Sequence, residues 1–333
     1  MKYKIAVVGA TGNVGREILR TLAESSIPIR EVMAFASERS VGKEVSYGNY
    51  DIEVKPFKGF SFDGVDIAFF ATDSDISKEY VPLASKKAKF VVDLSSYFRM
   101  HKDIPLIVPE VNPEALELAK KSKIISTPNC IVIPLVMALK KLDDYAEVSR
   151  VVVSTYQSVS GAGKKAMENL YSQTKSKIFD VFAEPGAQET IAFNIIPRID
   201  DLTQNGYTKE EIKVIVETQK ILSNDIEISP TCVRIPVFVG HSISANVEFV
   251  KNISAETAYD ILSNAEGITT DKEHHLPYFT PLDCVGKKDV LVSRIRQDTA
   301  KNILNLWIVS DNLRKGAALN AVQAAEKYIE QYL

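Results

Sequence analysis

Short, largely apolar runs alternate with segments of helical periodicity over the first part of the chain. Residues 5–8, 65–71 and 90–94 are such runs, and they are typical of strands buried on both faces of a parallel sheet. Between them, residues 16–25 and 77–86 carry the periodicity of helices. The pattern therefore predicts an α/β domain of the Rossmann type.

The pattern changes beyond about Thr127. Residues 148–156 form a long β-branched run, and residues 242–250 and 289–296 alternate apolar and polar side chains in the manner of antiparallel strands. A helix is predicted for residues 209–222. We therefore expect a second domain of the α+β class.

A turn rich in glycine joins the first predicted strand to the first predicted helix. It consists of Gly9, Ala10, Thr11, Gly12, Asn13, Val14 and Gly15. The glycines allow a tight turn, a close approach of backbone N–H groups to a pyrophosphate, and close packing of the helix on the sheet. Because the turn lies between a strand and a helix, it is predicted to bind a dinucleotide.

The segment after the second predicted strand bears on which dinucleotide binds. Arginine and hydroxyl side chains suit the 2′-phosphate of NADP, so Ser37, Arg39 and Ser40 favour that cofactor. Glu38 leaves NAD open, because a carboxylate at this place could reach the ribose hydroxyls. We expect NADP as the cofactor, with NAD as the alternative.

Cys130 is the candidate nucleophile. It follows a short β-branched run and a Pro-Asn turn, and a segment of helical pattern begins near it. A thiol at the positive end of a helix dipole should ionise more readily than a free thiol, whose pKa is about 8.5. The alternative is that Cys130 is a small buried apolar residue.

Further candidates are charged residues beside predicted strands and helices. Arg99 follows two serines at the carboxyl end of a strand, where such sheets bind ligands, and it could grip a phosphate. His241 follows Gly240 at the start of a strand and is a candidate acid–base group. Glu210 and Lys213 lie on one helix face, either as a surface pair or as part of a site.

The net charge, the cysteines and the lengths of the apolar runs argue against several classes of protein. The 333-residue chain has a net charge of −3, which argues against a nucleic-acid binder or an anionic-membrane binder. Its three cysteines cannot all pair and have no metal-ligand spacing, so we expect free thiols in a reducing compartment and no metal. No apolar run approaches the about 20 residues of a membrane span, and no signal-peptide pattern opens the chain. We expect a cytoplasmic protein.

The chain resembles the aspartate-β-semialdehyde dehydrogenase family along nearly its whole length. The motifs that carry the resemblance follow the family's order: the turn at 9–15, SSYFR at 95–99, residues 105–112, PNC at 128–130, QSVSGAG at 157–163, EEIK at 210–213, RIPV at 234–237, GHS at 240–242 and DNLRKGAA at 311–318. Ile131 and Val132, which follow the cysteine, depart from the small hydroxyl residues usual there.

The resemblance implies a Rossmann-type dinucleotide-binding domain of residues 1–127 completed by residues 312–333. It implies that residues 128–311 form an α+β catalytic and dimerisation domain like that of glyceraldehyde-3-phosphate dehydrogenase. It also implies a homodimer or a dimer of dimers. The implied reaction is the NADPH-dependent reductive dephosphorylation of aspartyl phosphate to aspartate semialdehyde, on the route to lysine, threonine and methionine.

The resemblance further implies roles for individual residues. They are Cys130 as nucleophile and His241 as general acid and base; Gln157 and Arg234 for the carbonyl region and α-carboxylate of the substrate; Glu210 for its ammonium; Arg99, Asn129 and Lys213 for phosphate; and Gly161 and Asn312 for the cofactor.

Three rival interpretations stay open. N-acetyl-γ-glutamyl-phosphate reductase performs the same chemistry on a blocked amine and would not need Glu210. A non-catalytic NADP-binding regulator would have no reason to activate the thiol of Cys130. A short-chain reductase is suggested by the sequence of residues 11–15, although no Tyr-x-x-x-Lys pair occurs in a matching context.

Overall fold

The protein divides into two compact units. The structure, a computed structural model, describes residues 2–179, 189–223 and 225–333. The first unit comprises Met1–Asn129 and Gly316–Leu333, and the second comprises Cys130–Lys315. The boundaries expected from the sequence, after residue 127 and before residue 312, lie near these two breaks.

The helices and strands are numbered in chain order. The strands are β1 Tyr3–Val8, β2 Ile29–Ala36, β3 Glu44–Tyr47, β4 Tyr50–Pro56, β5 Ile67–Phe70, β6 Phe90–Asp93, β7 Ile124–Ser126, β8 Val148–Gln157, β9 Glu227–Arg234, β10 His241–Phe249, β11 Ile268–Thr270, β12 Val290–Gln297 and β13 Ile303–Ser310. The helices are α1 Asn13–Glu24, α2 Ser74–Lys87, α3 Ala119–Ser122, α4 Val132–Ala146, α5 Lys164–Phe179, α6 Lys209–Ile221, α7 Ala255–Ser263, α8 Pro281–Cys284 and α9 Leu319–Tyr332.

The first unit is built on a seven-stranded sheet in the order β3-β4-β2-β1-β5-β6-β7. Its strands are parallel except β3, which runs antiparallel to β4 at the edge. Ile5 and Val7 of β1 join the core that includes α1 and α9, whereas Ala6 and Val8 join the core that includes α2. Because successive side chains of a strand point to opposite faces, both faces of this sheet are buried.

The second unit is built on a six-stranded sheet in the order β11-β12-β13-β10-β8-β9. β10 is antiparallel to both β8 and β13, as the alternating pattern predicted. β8 and β9 are parallel, and so are β11 and β12, so the sheet is mixed. Parallel neighbours need a long crossover, and the chain between β8 and β9 supplies one that includes α5 and α6.

One detail differs from the sequence-based expectations. α4 begins at Val132, so Cys130 lies in the turn ahead of this helix and Ile131 is the capping residue. Pro113–Leu118 form a 3₁₀ helix before the short α3. Within the described part of the chain, no helix is both long enough and apolar enough to cross a membrane.

Candidate active site

Three of the predicted site residues lie at one edge of the second unit's sheet. Gln157 ends β8 and Arg234 ends β9, and the two are paired in register across these parallel strands. His241 begins β10, which runs antiparallel to β8. Antiparallel direction places the start of one strand beside the end of its neighbour, so all three residues meet at the same edge.

Asn312 reaches this edge from the end of β13. His241 is paired with Ser310, and Asn312 follows two residues later. The side-chain oxygen of Asn312 accepts the N–H of Gly240 at 3.0 Å and the hydroxyls of Ser158 and Ser160, each at 3.1 Å. The resemblance implied a cofactor contact for Asn312, and its observed contacts tie together the segments around His241.

His241 is 1% exposed, and its two ring nitrogens have different surroundings. Nδ1 accepts the backbone N–H of Ser158 at 3.1 Å, so a neutral ring carries its proton on Nε2. Nε2 is buried without a hydrogen-bond partner among the described residues. It lies so close to Gly161 that a Cβ there would be 3.3 Å away.

Burial, followed by the charge of Arg234, lowers the pKa of His241 to about 3. A buried imidazolium would lose its hydration beside a guanidinium, so the neutral form is favoured. The ring is therefore neutral at physiological pH and directs an N–H donor from Nε2 toward the site.

Arg234 and Cys130 share one electrostatic environment. Nη1 of Arg234 donates to the backbone oxygen of Ser158 at 2.7 Å. Burial lowers the pKa of Arg234, and the negative charges of Cys130 and Glu210 act in the opposite direction. Arg234 is thus a positive charge close to both Cys130 and Glu210, and a guanidinium in this place is suited to bind an anionic group of a substrate.

α6 supplies the acidic group of the site. The helix begins with a capping box in which Thr208 and Glu211 satisfy each other's backbone N–H groups. Glu210, 6% exposed, accepts the side-chain amide of Gln157 at 3.0 Å and the ammonium of Lys213 at 3.2 Å. The structure thus brings Glu210 and Lys213 to the predicted site, so they are more than a surface pair.

The three cysteines differ in exposure. Cys130 is half-buried just ahead of the first turn of α4, whereas Cys232 and Cys284 are fully buried. Burial raises the pKa of Cys232 to about 12 and raises that of Cys284 further above its ordinary value. Cys130 is therefore the thiol best placed for nucleophilic chemistry.

Arg99 and Asn129 belong to the first unit, and both are 8% exposed. Nε of Arg99 donates to the backbone oxygen of Thr127 at 2.9 Å, and Nη2 donates to that of Leu94 at 3.0 Å. These contacts fix the guanidinium at the carboxyl ends of β6 and β7. The roles of Arg99 and Asn129 in phosphate binding stay predictions.

The predicted dinucleotide turn has the shape that its glycines suggested. Gly9 has a φ of +84°, and a Cβ on it would lie 2.2 Å from the backbone oxygen of Ala71. A Cβ on Gly15 would lie 2.1 Å from the backbone oxygen of Gly9, so α1 packs directly on the turn. With Gly12 as the N-cap, the first backbone N–H groups of α1 suit a pyrophosphate.

The residues expected to choose the cofactor follow β2. Glu38–Ser40 form a 3₁₀ turn that Ser37 precedes, and Ser37, Glu38 and Arg39 are exposed. The hydroxyl of Thr11 in the glycine turn lies 3.5 Å from that of Ser40. Residues 37–40 are therefore adjacent to the dinucleotide turn. This proximity is required if both segments bind the same cofactor.

Two domain families match the chain. Residues 4–119 match the NAD binding domain of semialdehyde dehydrogenases, and residues 139–315 match their dimerisation domain. The nucleotide-binding domain, the predicted fold class and the family resemblance are thereby confirmed.

Individual relatives match along the whole chain. The aspartate-semialdehyde dehydrogenase of Rickettsia conorii is 52% identical over 100% of this chain and 99% of its own length, and that of Aquifex aeolicus is 47% identical over 100% of both. The crystal structure of aspartate semialdehyde dehydrogenase II from Vibrio cholerae, complexed with ASA, is 42% identical with a TM-score of 0.94 over 100% of both chains. With both domains matched and relatives about half identical from end to end, the protein belongs to the aspartate-semialdehyde dehydrogenase family.

Proposed function

We propose that the protein reduces L-aspartyl-4-phosphate to L-aspartate-4-semialdehyde with NADPH and releases inorganic phosphate. The observation that carries the proposal is the convergence of Gln157, Arg234 and His241 at one sheet edge, with Glu210 bonded to Gln157. The names of the relatives and the bound ASA of the Vibrio cholerae enzyme support it.

Cys130 is the nucleophile of the proposed reaction. Its thiolate attacks the acyl carbon of the substrate, and the bond from that carbon to the phosphate oxygen breaks. Inorganic phosphate departs, and the acyl group remains on Cys130 as a thioester. When bound, NADPH supplies the hydride that reduces this thioester. The resulting thiohemiacetal releases the aldehyde, and Cys130 leaves as the thiolate.

His241 acts on the oxygen of these tetrahedral species. The proton on Nε2 is held by a neutral ring whose Nδ1 is occupied by the N–H of Ser158. An N–H donor aimed at a developing oxygen anion stabilises that anion without reorganisation. The N–H groups ahead of α4 at Cys130 provide further donors for that oxygen.

The charged side chains match the charges of the substrate. Arg234 is proposed to bind the α-carboxylate, Glu210 the ammonium and Lys213 the phosphate. Phosphate binding is also the role proposed for Arg99 and Asn129 of the first unit. N-acetyl-γ-glutamyl phosphate carries no ammonium, so a nearly buried carboxylate at position 210 favours the aspartyl substrate.

The residues of the first unit fit NADP. The glycine turn and the start of α1 would hold the pyrophosphate, and Arg39 with Ser37 and Ser40 would hold the 2′-phosphate. In the second unit, Gly161 and Asn312 would contact the cofactor. NADP is therefore the proposed cofactor, with NAD as the alternative that Glu38 leaves open.

We infer a cytoplasmic homodimer or dimer of dimers that works in the aspartate route to lysine, diaminopimelate, threonine and methionine. The match of residues 139–315 to a dimerisation domain supports the assembly. Within that domain, the large apolar side chains of Tyr171, Phe179 and Phe193 are 64%, 80% and 68% exposed. Light scattering after gel filtration distinguishes a dimer from a tetramer, and a monomer would contradict the assembly.

The test of the reaction is a spectrophotometric assay with aspartate semialdehyde, phosphate and either NADP or NAD. We expect reduction of NADP that depends on both the aldehyde and phosphate, and its loss in a folded Cys130→Ala variant. Undiminished phosphate-dependent activity of that variant would rule out the thioester route. Activity with N-acetyl-glutamate semialdehyde in place of aspartate semialdehyde would favour the rival reductase.

A further inference from the structure

Lys213 lies between two carboxylates that belong to different segments. Its Nζ donates to Oδ2 of Asp200 at 2.9 Å and to Oε2 of Glu210 at 3.2 Å. The other oxygen of Glu210 accepts the amide of Gln157. A single cation is thus shared between the proposed ammonium-binding carboxylate and a second one, Asp200, to which the sequence assigned no role.

The chain around Asp200 is held in a fixed shape. Asp200 has a φ of +71°, a conformation that residues with a Cβ seldom adopt, and its Oδ1 accepts the N–H of Asp201 at 2.9 Å. Before it, Ile196 exchanges two backbone hydrogen bonds with Arg234 at the end of β9. After it, the N–H of Lys209 donates to the backbone oxygen of Asp201 at 2.8 Å. Asp200 is therefore anchored on both sides next to the site.

Asp200 and Glu210 both stabilise the positive charge of Lys213. Burial tends to lower the pKa of Lys213, but Glu210 and Asp200 outweigh it, and the pKa is raised. Burial tends to raise the pKa of Asp200, but the hydrogen bonds from Lys213 and from the backbone of Asp201, together with the positive charges of Lys213 and Lys209, outweigh burial, and the pKa is lowered. Lys209 repels Lys213 and is itself paired with Asp201 at 2.7 Å. The Asp200, Lys213 and Glu210 group thus carries one net negative charge.

That net charge matters for substrate choice. If Glu210 were the only acidic partner of Lys213, the ion pair would neutralise the carboxylate that has to bind the substrate's ammonium. With Asp200 as a second partner at the shorter distance, part of the charge of Glu210 stays available to a cation.

We propose that Asp200 is a positioning residue that determines specificity: by drawing Lys213 toward itself, it leaves Glu210 to select substrates that carry an ammonium group. This inference rests on the proposed function. It adds a residue outside the substrate contacts that sets how strongly the enzyme discriminates an amino aldehyde from its analogue without the amine.

The test compares Asp200→Asn with wild type on aspartate semialdehyde and on succinic semialdehyde, which lacks only the ammonium. Asparagine tolerates a positive φ and can still accept the N–H of Asp201, so the variant removes little but the charge. We expect the ratio of kcat/KM for the two aldehydes to fall roughly three- to tenfold, the range of one weakened charged contact. The KM for phosphate at pH 7.5 should change less than about twofold, because Lys213 stays protonated there.

The dependence of phosphate binding on pH gives a second readout. Loss of the Asp200 charge removes one of the two groups that raise the pKa of Lys213, so the alkaline limb of 1/KM for phosphate should move to lower pH. Asp201→Asn is the matched control, because it removes a neighbouring carboxylate whose partner is the exposed Lys209. The control should change neither the aldehyde ratio nor the alkaline limb.

An unchanged aldehyde ratio in Asp200→Asn, with the wild type active, would overturn the inference. A fall in kcat or melting temperature alone, with ratio and pH limb unchanged, would assign Asp200 a purely structural role and would also overturn it. If Asp200→Asn does not fold, Asp200→Gly serves instead, since glycine adopts the positive φ without a Cβ. If the wild type does not reduce NADP with aspartate semialdehyde, the proposed function itself is wrong. That result can be told apart from a negative comparison of the variants.

Discussion

The backbone N–H of Ser158 donates to Nδ1 of His241 over 3.1 Å, and this contact selects the tautomer of the buried imidazole. A ring nitrogen that accepts a hydrogen bond carries no proton, so the neutral ring is protonated on Nε2. Burial and Arg234 lower the pKa of His241 to about 3, which keeps the ring neutral. The geometry therefore supplies a hydrogen-bond donor without a positive charge next to Arg234.

The depressed pKa of His241 predicts a loss of stability in acid. In the unfolded chain a histidine has a pKa of about 6.5, so between that value and about 3 the unfolded chain binds a proton that the folded protein does not. Stability therefore falls as the pH drops through this window. The slope from this residue is at most about 1.4 kcal/mol per pH unit. Urea unfolding at pH 7 and pH 5 measures it.

The control is His241→Gln, which cannot titrate. All other residues are the same in the two proteins, so the difference between the two free energies of unfolding isolates His241. That difference should change by up to about 2 kcal/mol between pH 7 and pH 5, in favour of the variant at the lower pH. Parallel pH dependence of the two proteins would show that His241 is not held neutral by burial.

Asn312 should support catalysis through His241 as well as through any cofactor contact. Its oxygen accepts the N–H of Gly240 and the hydroxyls of Ser158 and Ser160, so Asn312→Ala removes the acceptor of the buried Gly240 N–H and one partner of each hydroxyl. We expect about 1–3 kcal/mol of lost stability and a fall of roughly tenfold or more in kcat. Urea unfolding and steady-state kinetics at saturating cofactor measure the two effects.

Asn246 offers the matched control for Asn312. It lies in β10 of the same sheet and donates to Asp298 and Asn305, each at 3.0 Å. Asn246→Ala should lower stability by a similar amount and leave kcat within about twofold. An Asn312→Ala variant that loses stability but keeps its kcat would show that the network supports the fold alone.

Local patterns predicted the parts of the protein that depend on neighbours in sequence. The buried strands of the first sheet are apolar runs, and Gly9 and Gly15 mark a turn whose backbone leaves no room for a Cβ. The sequence pattern did not predict the β3–β4 hairpin. Each of its strands has one buried residue, Val45 in β3 and Val54 in β4, and a single buried residue produces no periodic signal. The relative direction of neighbouring strands was only partly predictable. Alternating apolar and polar side chains indicate that one face of a strand is buried, but they do not indicate whether its neighbour is parallel or antiparallel.

The residues proposed for the site stand in sequence motifs, but the contacts between them were not predictable. Cys130, His241 and Glu210 stand in motifs, but the bond that selects the tautomer of His241 joins residues 83 positions apart in the chain. Asp200 carries no sequence signal at all, because its positive φ occurs in a residue other than glycine and its ion pair forms only after α6 packs. Contacts of this kind follow from tertiary structure, and no local pattern encodes them.

Arg39 should determine the preference for NADP. It is exposed in the turn after β2, beside the glycine turn, where a guanidinium can pair with the 2′-phosphate. Arg39→Leu should raise the KM for NADP roughly tenfold, the effect of one charge-assisted contact, and leave the KM for NAD nearly unchanged. Steady-state kinetics with both cofactors measures the change.

The neighbouring Glu38 supplies the opposite control for the cofactor. A Glu38→Gln variant should weaken the use of NAD and leave or improve the use of NADP, since a carboxylate serves ribose hydroxyls and repels a phosphate. If Arg39→Leu raised the KM values of the two cofactors equally, the turn would contribute to binding without selecting the 2′-phosphate.

The reactivity of the three thiols should single out Cys130. Alkylation requires the thiolate, and burial raises the pKa of Cys232 to about 12 and that of Cys284 beyond it, so neither ionises appreciably near neutral pH. Iodoacetamide at pH 7.5 should therefore add one carbamidomethyl group per folded chain and abolish activity at the same rate. Mass spectrometry of the intact protein counts the groups.

Three comparisons make the thiol experiment decisive. The folded Cys130→Ala variant should take up no label over the same time, and the wild-type chain in urea should take up three, because unfolding exposes every thiol. Prior addition of aspartate semialdehyde should slow the labelling of the folded enzyme, since the aldehyde and the reagent compete for one sulfur. Label found on Cys232 or Cys284 in the folded protein, at a rate comparable to Cys130, would mean that burial does not protect them and that reactivity alone does not identify the nucleophile.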